Sequence, residues 1–190
     1  MDTKKVLAIQ GSYRKDGKTS TMLRAAVEEA KKLGHEVTEL NLFEKKIDFC
    51  KGCGKCDSTG ECVFKNDDIG EITELIKEAD VIILAAPVYW ANVPAAVKNM
   101  FDRLKGVAME DTATFPKGRL SKNQTYILFT ACNTPAPFSA VCGQSTGALR
   151  AMKEFFKTSG MTYGGKCVWT GSKKGDLPKK LEKKIEKLLG

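Results

Sequence analysis

Residues 81–87, VIILAAP, form a wholly apolar run that is far shorter than the about 20 residues a membrane-spanning helix needs. A strand without a polar face must be covered on both sides, as happens inside a parallel sheet flanked by helices. The neighbouring segments agree, because strand-like runs alternate along the chain with amphipathic stretches of helical period. We therefore expect a doubly wound α/β fold, with a five-stranded parallel sheet and helices on both faces.

The boundaries of the elements follow from the same patterns. The strands are predicted at 5–11, 36–42, 81–87, 124–132 and 161–170. The helices are predicted at 19–34, 67–79, 93–104, 145–160 and within the lysine-rich segment 173–190. The segment 36–42 alternates between polar and apolar residues, as an edge strand does. Neither a linker nor a repeat is visible, so we predict one domain over residues 1–190, with a cysteine-rich loop at 48–64 inserted after the second strand.

The charge of the chain is the next constraint on its function. The net charge is +8, from 31 basic and 23 acidic residues. Much of the excess lies in the last predicted helix, opposite an apolar stripe formed by Leu181, Ile185, Leu188 and Leu189, which is typical of a solvated amphipathic helix. No nucleic-acid-binding signature accompanies the lysines. The chain enters its first strand pattern directly, so we expect a cytoplasmic protein that binds neither nucleic acid nor membrane.

Four of the seven cysteines crowd into one short segment with the pattern C-x2-C-x2-C-x5-C. They are Cys50, Cys53, Cys56 and Cys62. In a cytosolic chain, such spacing favours a metal centre or reactive thiols over a disulfide framework. An iron–sulfur cluster is one interpretation, because cubane clusters take closely spaced thiolates. Tetrahedral zinc and a loop of free thiols are the alternatives.

Residues 11–20, GSYRKDGKTS, connect the first strand to the first helix and resemble an anion-binding turn. The helix N-terminus offers free N–H groups, and Ser12, Thr19 and Ser20 add hydroxyls. Arg14 can contact a phosphate as a fork. The spacing between the two glycines is one residue too long for a P-loop. An ordinary polar turn that caps the helix is the alternative.

The segment APVYWANVP, residues 86–94, follows the third strand and contains two adjacent aromatic residues. Tyr89 and Trp90 could lie along a flat ring system at the carboxyl end of the sheet, or they could simply cover the end of the core. The sequence contains one histidine, His35, so it offers little basis for charge-relay catalysis or for a multi-histidine metal site.

Together, GSYRKDGKT, APVYWANVPAAVKNMFDR and the cysteine run with GECVFKNDDI resemble the NAD(P)H-dependent FMN reductase superfamily of flavodoxin-like proteins. The most similar branch is that of the iron–sulfur flavoproteins. The resemblance is strong over residues 4–104 and looser beyond them. It implies FMN as the redox group, so that no side chain of the protein need be catalytic.

The resemblance also implies a set of cofactor-binding residues. The FMN phosphate would be bound by Ser12, Arg14, Lys18, Thr19 and Ser20, although the family usually has Asn or Ser where Lys18 stands. The isoalloxazine would lie against Pro87, Val88, Tyr89, Trp90 and Asn92. The loop after the fourth strand would close over the other side of the ring with Thr130, Cys132 and Asn133. Cys50, Cys53, Cys56 and Cys62 would bind a [4Fe–4S] cluster.

Three functions remain open at this point. The first is an electron-transfer flavoprotein that moves electrons between an iron–sulfur cluster and FMN. The second is an NAD(P)H-dependent FMN or quinone-type reductase without a cluster, in which the cysteine loop is structural. The third is a basic module that binds nucleic acid or phosphate. The resemblance further implies a homodimer or homotetramer, and a small molecule or a protein as redox partner.

Overall fold

The computed structural model describes residues 2–172 and 175–190. The strands are β1 (Lys5–Gln10), β2 (Glu36–Asn41), β3 (Val81–Pro87), β4 (Met109–Glu110), β5 (Lys117–Gly118), β6 (Thr125–Cys132) and β7 (Thr162–Thr170). The helices are α1 (Lys18–Lys32), α2 (Cys56–Thr59), α3 (Ile69–Glu78), α4 (Ala95–Arg103), α5 (Lys105–Ala108), α6 (Phe138–Val141), α7 (Gln144–Thr158) and α8 (Lys179–Leu189). Lys173 and Lys174, which begin the predicted lysine-rich segment, lie outside the described residues.

Five strands form one sheet in the order β2-β1-β3-β6-β7, and all the pairs are parallel. This confirms the flavodoxin-like doubly wound fold and the position of β2 at an edge. The strand order reverses between β1 and β3, because the chain builds outward first on one side of β1 and then on the other. In such sheets the ligand crevice lies outside the carboxyl ends of the strands at this switch point.

The apolar core has two layers, one on each face of the sheet. Along β3, Ile82 and Leu84 face the layer under α3, α4 and α7, while Ile83 and Ala85 face the layer under α1 and α8. Both faces of β3 are therefore buried, which explains why it carries no polar residue. Ile185 is the buried member of the predicted apolar stripe of α8.

The structure adds short elements where none was predicted. Helix α2 lies within the cysteine loop, α5 and the β4–β5 ladder lie between residues 105 and 118, and α6 lies within 133–144. Elements of two to four residues are too short to display a hydrophobic period, so the pattern could not indicate them. Within the described part of the chain, no helix combines the length and apolar character that crossing a membrane requires.

Candidate functional site

Three loops meet at the carboxyl edge of the sheet. Gln10 at the end of β1 is paired with Ala85, and Pro87 at the end of β3 is paired with Ala131 near the end of β6. The segments that follow these strands, 11–17, 88–94 and 133–143, therefore lie at one end of the sheet. They are the loops in which the resemblance places an FMN site.

The first loop is curled around a backbone carbonyl. The carbonyl oxygen of Arg14 accepts hydrogen bonds from the Gly17 N–H at 3.3 Å and from the Ser20 hydroxyl at 2.7 Å. Ser12 and Thr19 are also buried. Helix α1 begins after Gly17, and none of the described side chains caps it. The loop thus combines free N–H groups with hydroxyls at the positive end of a helix, which suits a phosphate monoester.

Lys18 connects the first loop to the carboxyl end of strand β7. Its ammonium donates a hydrogen bond to the carbonyl oxygen of Gly171, and it lies 5.4 Å from the centre of the Trp169 ring. Burial lowers the pKa of Lys18, while the nearby Cys132 thiol opposes that shift. The ammonium therefore already has partners at the end of β7, and its role in phosphate binding stays a prediction.

The second loop is a tight turn with two residues in the left-handed region. Tyr89 and Asn92 exchange both backbone hydrogen bonds, at 2.8 and 2.9 Å. Between them, Trp90 has φ 52° and Ala91 has φ 57°. Such angles cost non-glycine residues roughly 1–3 kcal/mol each and cluster at ligand sites. The turn leaves the Trp90 side chain fully exposed and half of Tyr89 exposed.

Helix α7 supports this turn from behind. A Cβ atom added to Gly147 would lie 2.1 Å from the carbonyl oxygen of Ala91. The first turn of α7 therefore contacts the strained backbone directly, and only glycine permits that approach.

The third loop begins at the end of β6. Thr130 is fully buried and donates a hydrogen bond to the Ala86 carbonyl oxygen at 2.8 Å, so it ties β6 to β3. The Cys132 thiol lies 3.6 Å from the side-chain oxygen of Gln144, and Asn133 is exposed. The predicted contacts of these residues with a flavin ring stay predictions.

The cysteine loop leaves the sheet after β2. Cys50 and Cys53 are exposed, whereas Cys56 and Cys62 are partly buried. Across residues 2–172 and 175–190, no three Cys, His, Asp or Glu side chains are close enough to share one metal ion. Gly52 and Gly54 have positive φ angles and little around them. Four cysteine side chains are chemically suited to bind a metal group as thiolates. Because they lie apart in the described conformation, the loop must rearrange before four sulfurs can bind one group.

The middle of this loop rests on α5 through the short helix α2. The backbone at Cys56 packs so closely on Gly106 that a Cβ atom there would lie 2.6 Å from the Cys56 carbonyl oxygen. Arg119 donates hydrogen bonds to the carbonyl oxygens of Gly106 and Asp57, each at 2.9 Å. Lys105 contacts the Asp57 carboxylate at 2.7 Å. Cys56 is therefore fixed to the body of the protein.

A buried ion pair stands at the base of the loop, and the sequence analysis missed it. Arg103 on α4 binds the Asp67 carboxylate through two N–H groups, at 2.6 and 3.2 Å, and both side chains are about 2% exposed or less. The pattern indicated only that Asp67 lies at the N-terminus of the second predicted helix, where an acidic residue is favoured. The available signal was an arginine on the apolar face of α4, since buried arginines are almost always paired.

This pair predicts a specific acid sensitivity. Burial raises the pKa of Asp67, but the hydrogen bonds from Arg103 and from the Asp48 and Ile69 N–H groups outweigh it and lower the pKa overall. The stabilisation is therefore complete above the unfolded pKa of about 4 and is lost as the pH falls through the folded value. We expect urea midpoints to fall more steeply between pH 5 and pH 2 in the wild type than in Asp67→Asn.

The control for this pH dependence is Asp102→Asn, which breaks the exposed pair with Lys98 on the same helix. Exposed pairs contribute little, so Asp102→Asn should follow the wild type through the acid range. Equal slopes for the wild type and Asp67→Asn would contradict the prediction.

Comparison with known proteins decides the family. Residues 4–175 match the family described as NADPH-dependent FMN reductase. The chain belongs to that family. The family match includes the three loops at the carboxyl edge of the sheet as well as the cysteine loop, and it confirms the resemblance noted in the sequence.

Known iron–sulfur flavoproteins are similar to the chain over different lengths. An iron–sulfur flavoprotein of Archaeoglobus fulgidus is 46% identical over 100 residues, which are 53% of this chain and 45% of that protein. An iron–sulfur flavoprotein of Clostridioides difficile is 26% identical over 186 residues, 96% of this chain and 75% of that protein. The alignments with the more similar archaeal relatives thus span about half of their length.

A solved structure extends the likeness to the whole fold. The NAD(P)H:quinone oxidoreductase of Methanothermobacter marburgensis superposes with a TM-score of 0.75 at 16% identity, over 99% of this chain and 96% of that one. At that identity the superposition establishes the flavodoxin-like fold of this FMN reductase family member and nothing finer.

Proposed function

We propose that this protein is an FMN-dependent oxidoreductase that accepts electrons from NAD(P)H or from a redox partner. The observation that carries the proposal is the meeting of the three loops at the switch point of the sheet. The first loop combines an uncapped helix N-terminus with buried hydroxyls, and the second presents aromatic side chains. The family match over residues 4–175 supports the same cofactor.

In this proposal the protein binds and orients the flavin. Ser12, Thr19 and the N–H groups of the α1 N-terminus would bind the phosphate, with Arg14 closing over it from an exposed position. The Tyr89–Asn92 turn would lie along the isoalloxazine. FMN, when bound, supplies the redox chemistry, because it exchanges electrons singly or in pairs.

We further propose that the cysteine loop binds a [4Fe–4S] cluster through Cys50, Cys53, Cys56 and Cys62. The thiol spacing supports it, and so do the relatives that are named iron–sulfur flavoproteins. A bound cluster would supply one-electron transfer.

The second candidate is a cluster-free NAD(P)H-dependent reductase with a structural cysteine loop. The exposure of Cys50 and Cys53, and the separation of the described thiols, favour that candidate.

One experiment separates the two candidates. Protein purified without oxygen is assayed for its absorbance spectrum and for iron and sulfide. We expect flavin bands and about four irons per chain. Cys56→Ser should lose the iron and keep the flavin, whereas Ser58→Ala, at an exposed position of the same loop that carries no thiol, should keep both. Flavin without iron in the wild type would overturn the cluster and favour the hydride-transferring reductase. A wild type without flavin would overturn both.

The setting of this activity is also a proposal. We propose that residues 1–190 act as one flavodoxin-like domain in the cytoplasm, as a homodimer or homotetramer. The full exposure of Trp90 beside the FMN loops supports an assembly that covers it. Sedimentation of the flavin-loaded protein tests the assembly, and a monomer at micromolar concentration would contradict it.

A further inference from the structure

The two ends of the cysteine loop meet at one buried side chain. Arg103 donates a hydrogen bond at 2.6 Å to the carbonyl oxygen of Asp48, two residues before Cys50. It donates another at 2.6 Å to the carbonyl oxygen of Phe64, two residues after Cys62. A guanidinium offers its N–H groups in a fixed planar fork, so these two carbonyls are fixed relative to each other.

Neighbouring groups make this junction rigid. Asp67 compensates the charge of Arg103 and also accepts the N–H of Asp48 at 2.8 Å. Asn99, one turn earlier on α4, donates to the carbonyl oxygen of Ile47 at 3.0 Å. Lys46 and Asp68 are joined by two further hydrogen bonds, at 2.7 and 2.9 Å. The loop therefore has closely joined ends and a path of its own between them, as in an Ω-loop.

One N–H of the arginine remains without a partner. The Nε atom of Arg103 is buried and makes no hydrogen bond to any described residue. A buried donor without an acceptor is costly, and its presence calls for a physical reason. Cys62 is close to this donor along the chain, because it lies two residues before Phe64, whose carbonyl oxygen the same guanidinium contacts at 2.6 Å.

We propose that Arg103 is the positioning residue of the cysteine loop: it fixes both ends of the loop on α4 and offers its free Nε–H to the sulfur of Cys62. The second part rests on the proposed iron–sulfur function, because a metal-bound thiolate accepts a hydrogen bond more strongly than a neutral thiol does. Hydrogen bonds to cluster sulfurs raise the reduction potential, since they stabilise the more negative reduced state.

The location of Arg103 also sets the distance between the two candidate redox sites. Helix α4 begins at Ala95, immediately after the 88–94 loop, and ends at Arg103. At a rise of about 1.5 Å per residue, these two positions are about 12 Å apart along the helix axis. Arg103 therefore attaches the cysteine loop at a fixed distance from the turn that would contact the flavin.

The loop anchorage is tested on metal-free protein loaded with FMN. In Arg103→Lys the charge stays and the fork is lost, so amide exchange over residues 46–48 and 64–69 should accelerate at least tenfold. Lys98→Met on the exposed face of α4 is the matched control and should exchange like the wild type. Unchanged exchange in Arg103→Lys would overturn the anchoring role, whatever the metal content.

A second variant covers the case in which Arg103→Lys fails to fold or to bind FMN. Asn99→Ala removes only the contacts to Ile47 and Asp48 and leaves the arginine in place. It should accelerate exchange at residues 46–48 and leave 64–69 protected by Arg103. Loss of protection over residues 64–69 as well, with Arg103 still in place, would overturn the anchoring role, whereas protection retained there supports it.

The donor role is tested by potentiometry after reconstitution with iron and sulfide. In Arg103→Lys the midpoint potential of the iron–sulfur signal should fall by about 59 mV, a tenfold shift in the oxidised-to-reduced ratio for one electron. In Asn99→Ala it should be unchanged. An unchanged potential in Arg103→Lys would overturn the donor role. A wild type that takes up no iron would overturn the cluster proposal and the donor role together, while the exchange result on the anchoring role would stand.

Discussion

Replacement of Gly147 by valine is expected to weaken FMN binding by about 100-fold while the fold persists. Because an added Cβ atom would lie 2.1 Å from the Ala91 carbonyl oxygen, the turn that holds Trp90 must shift by about 1 Å. A displacement of about 1 Å in a positioning segment can lower a reaction rate by about 100-fold, and we expect a loss of FMN affinity of the same order. The dissociation constant is measured by titrating flavin-free protein with FMN and following the quenching of flavin fluorescence.

The matched control is Gly70→Val, the same substitution in the first turn of helix α3. No atom outside the local chain lies within 4 Å of the Cβ position at Gly70, so valine has space there. Gly70→Val should bind FMN like the wild type. Equal affinities of Gly147→Val and Gly70→Val would show that the turn at 89–92 does not contact the flavin.

Replacement of Phe156 by alanine is expected to lower the free energy of unfolding by about 3–5 kcal/mol. Phe156 is fully buried under β6 and packs against three aromatic rings. They are Tyr126 at 5.1 Å, Phe155 at 5.1 Å and Phe101 at 6.3 Å between ring centres. The truncation leaves a cavity that these rings cannot fill without leaving their rotamers. Urea denaturation at neutral pH measures the loss.

Phe115→Ala provides the comparison, because that phenylalanine is 80% exposed in the β4–β5 connection. Its truncation should change the free energy of unfolding by no more than about 0.5 kcal/mol. If the two variants lost similar stability, the aromatic cluster around Phe156 would not be a principal support of the core.

The arrangement of strands and helices was predictable because it depends on short-range patterns. The apolar run 81–87 indicated a strand buried on both faces, and β3 has that position. The predicted strand boundaries differ from the observed ones by one residue or less, and the long helices by about two at either end. Parallel strands bring their carboxyl ends to one edge, so the pattern also placed the candidate FMN loops together.

The partners of individual side chains in those loops were not predictable. Thr130 uses its hydroxyl to join two strands, and Lys18 reaches the carbonyl oxygen of Gly171. Each of these contacts joins residues that are far apart in the chain. A local pattern identifies the type of residue but gives no information on which distant backbone group will satisfy it.

The sequence by itself therefore determined the layers, the sheet and the position of the cysteine segment after β2, because periodicity and residue type are local properties. Only the tertiary structure decided how that segment is fixed. Arg103 meets Asp67 across 36 residues and Asp48 across 55. Such contacts arise when α4 packs against the base of the loop and removes both charges from water. A buried charge is strongly destabilising unless it is paired, so the arginine and the aspartate form an ion pair.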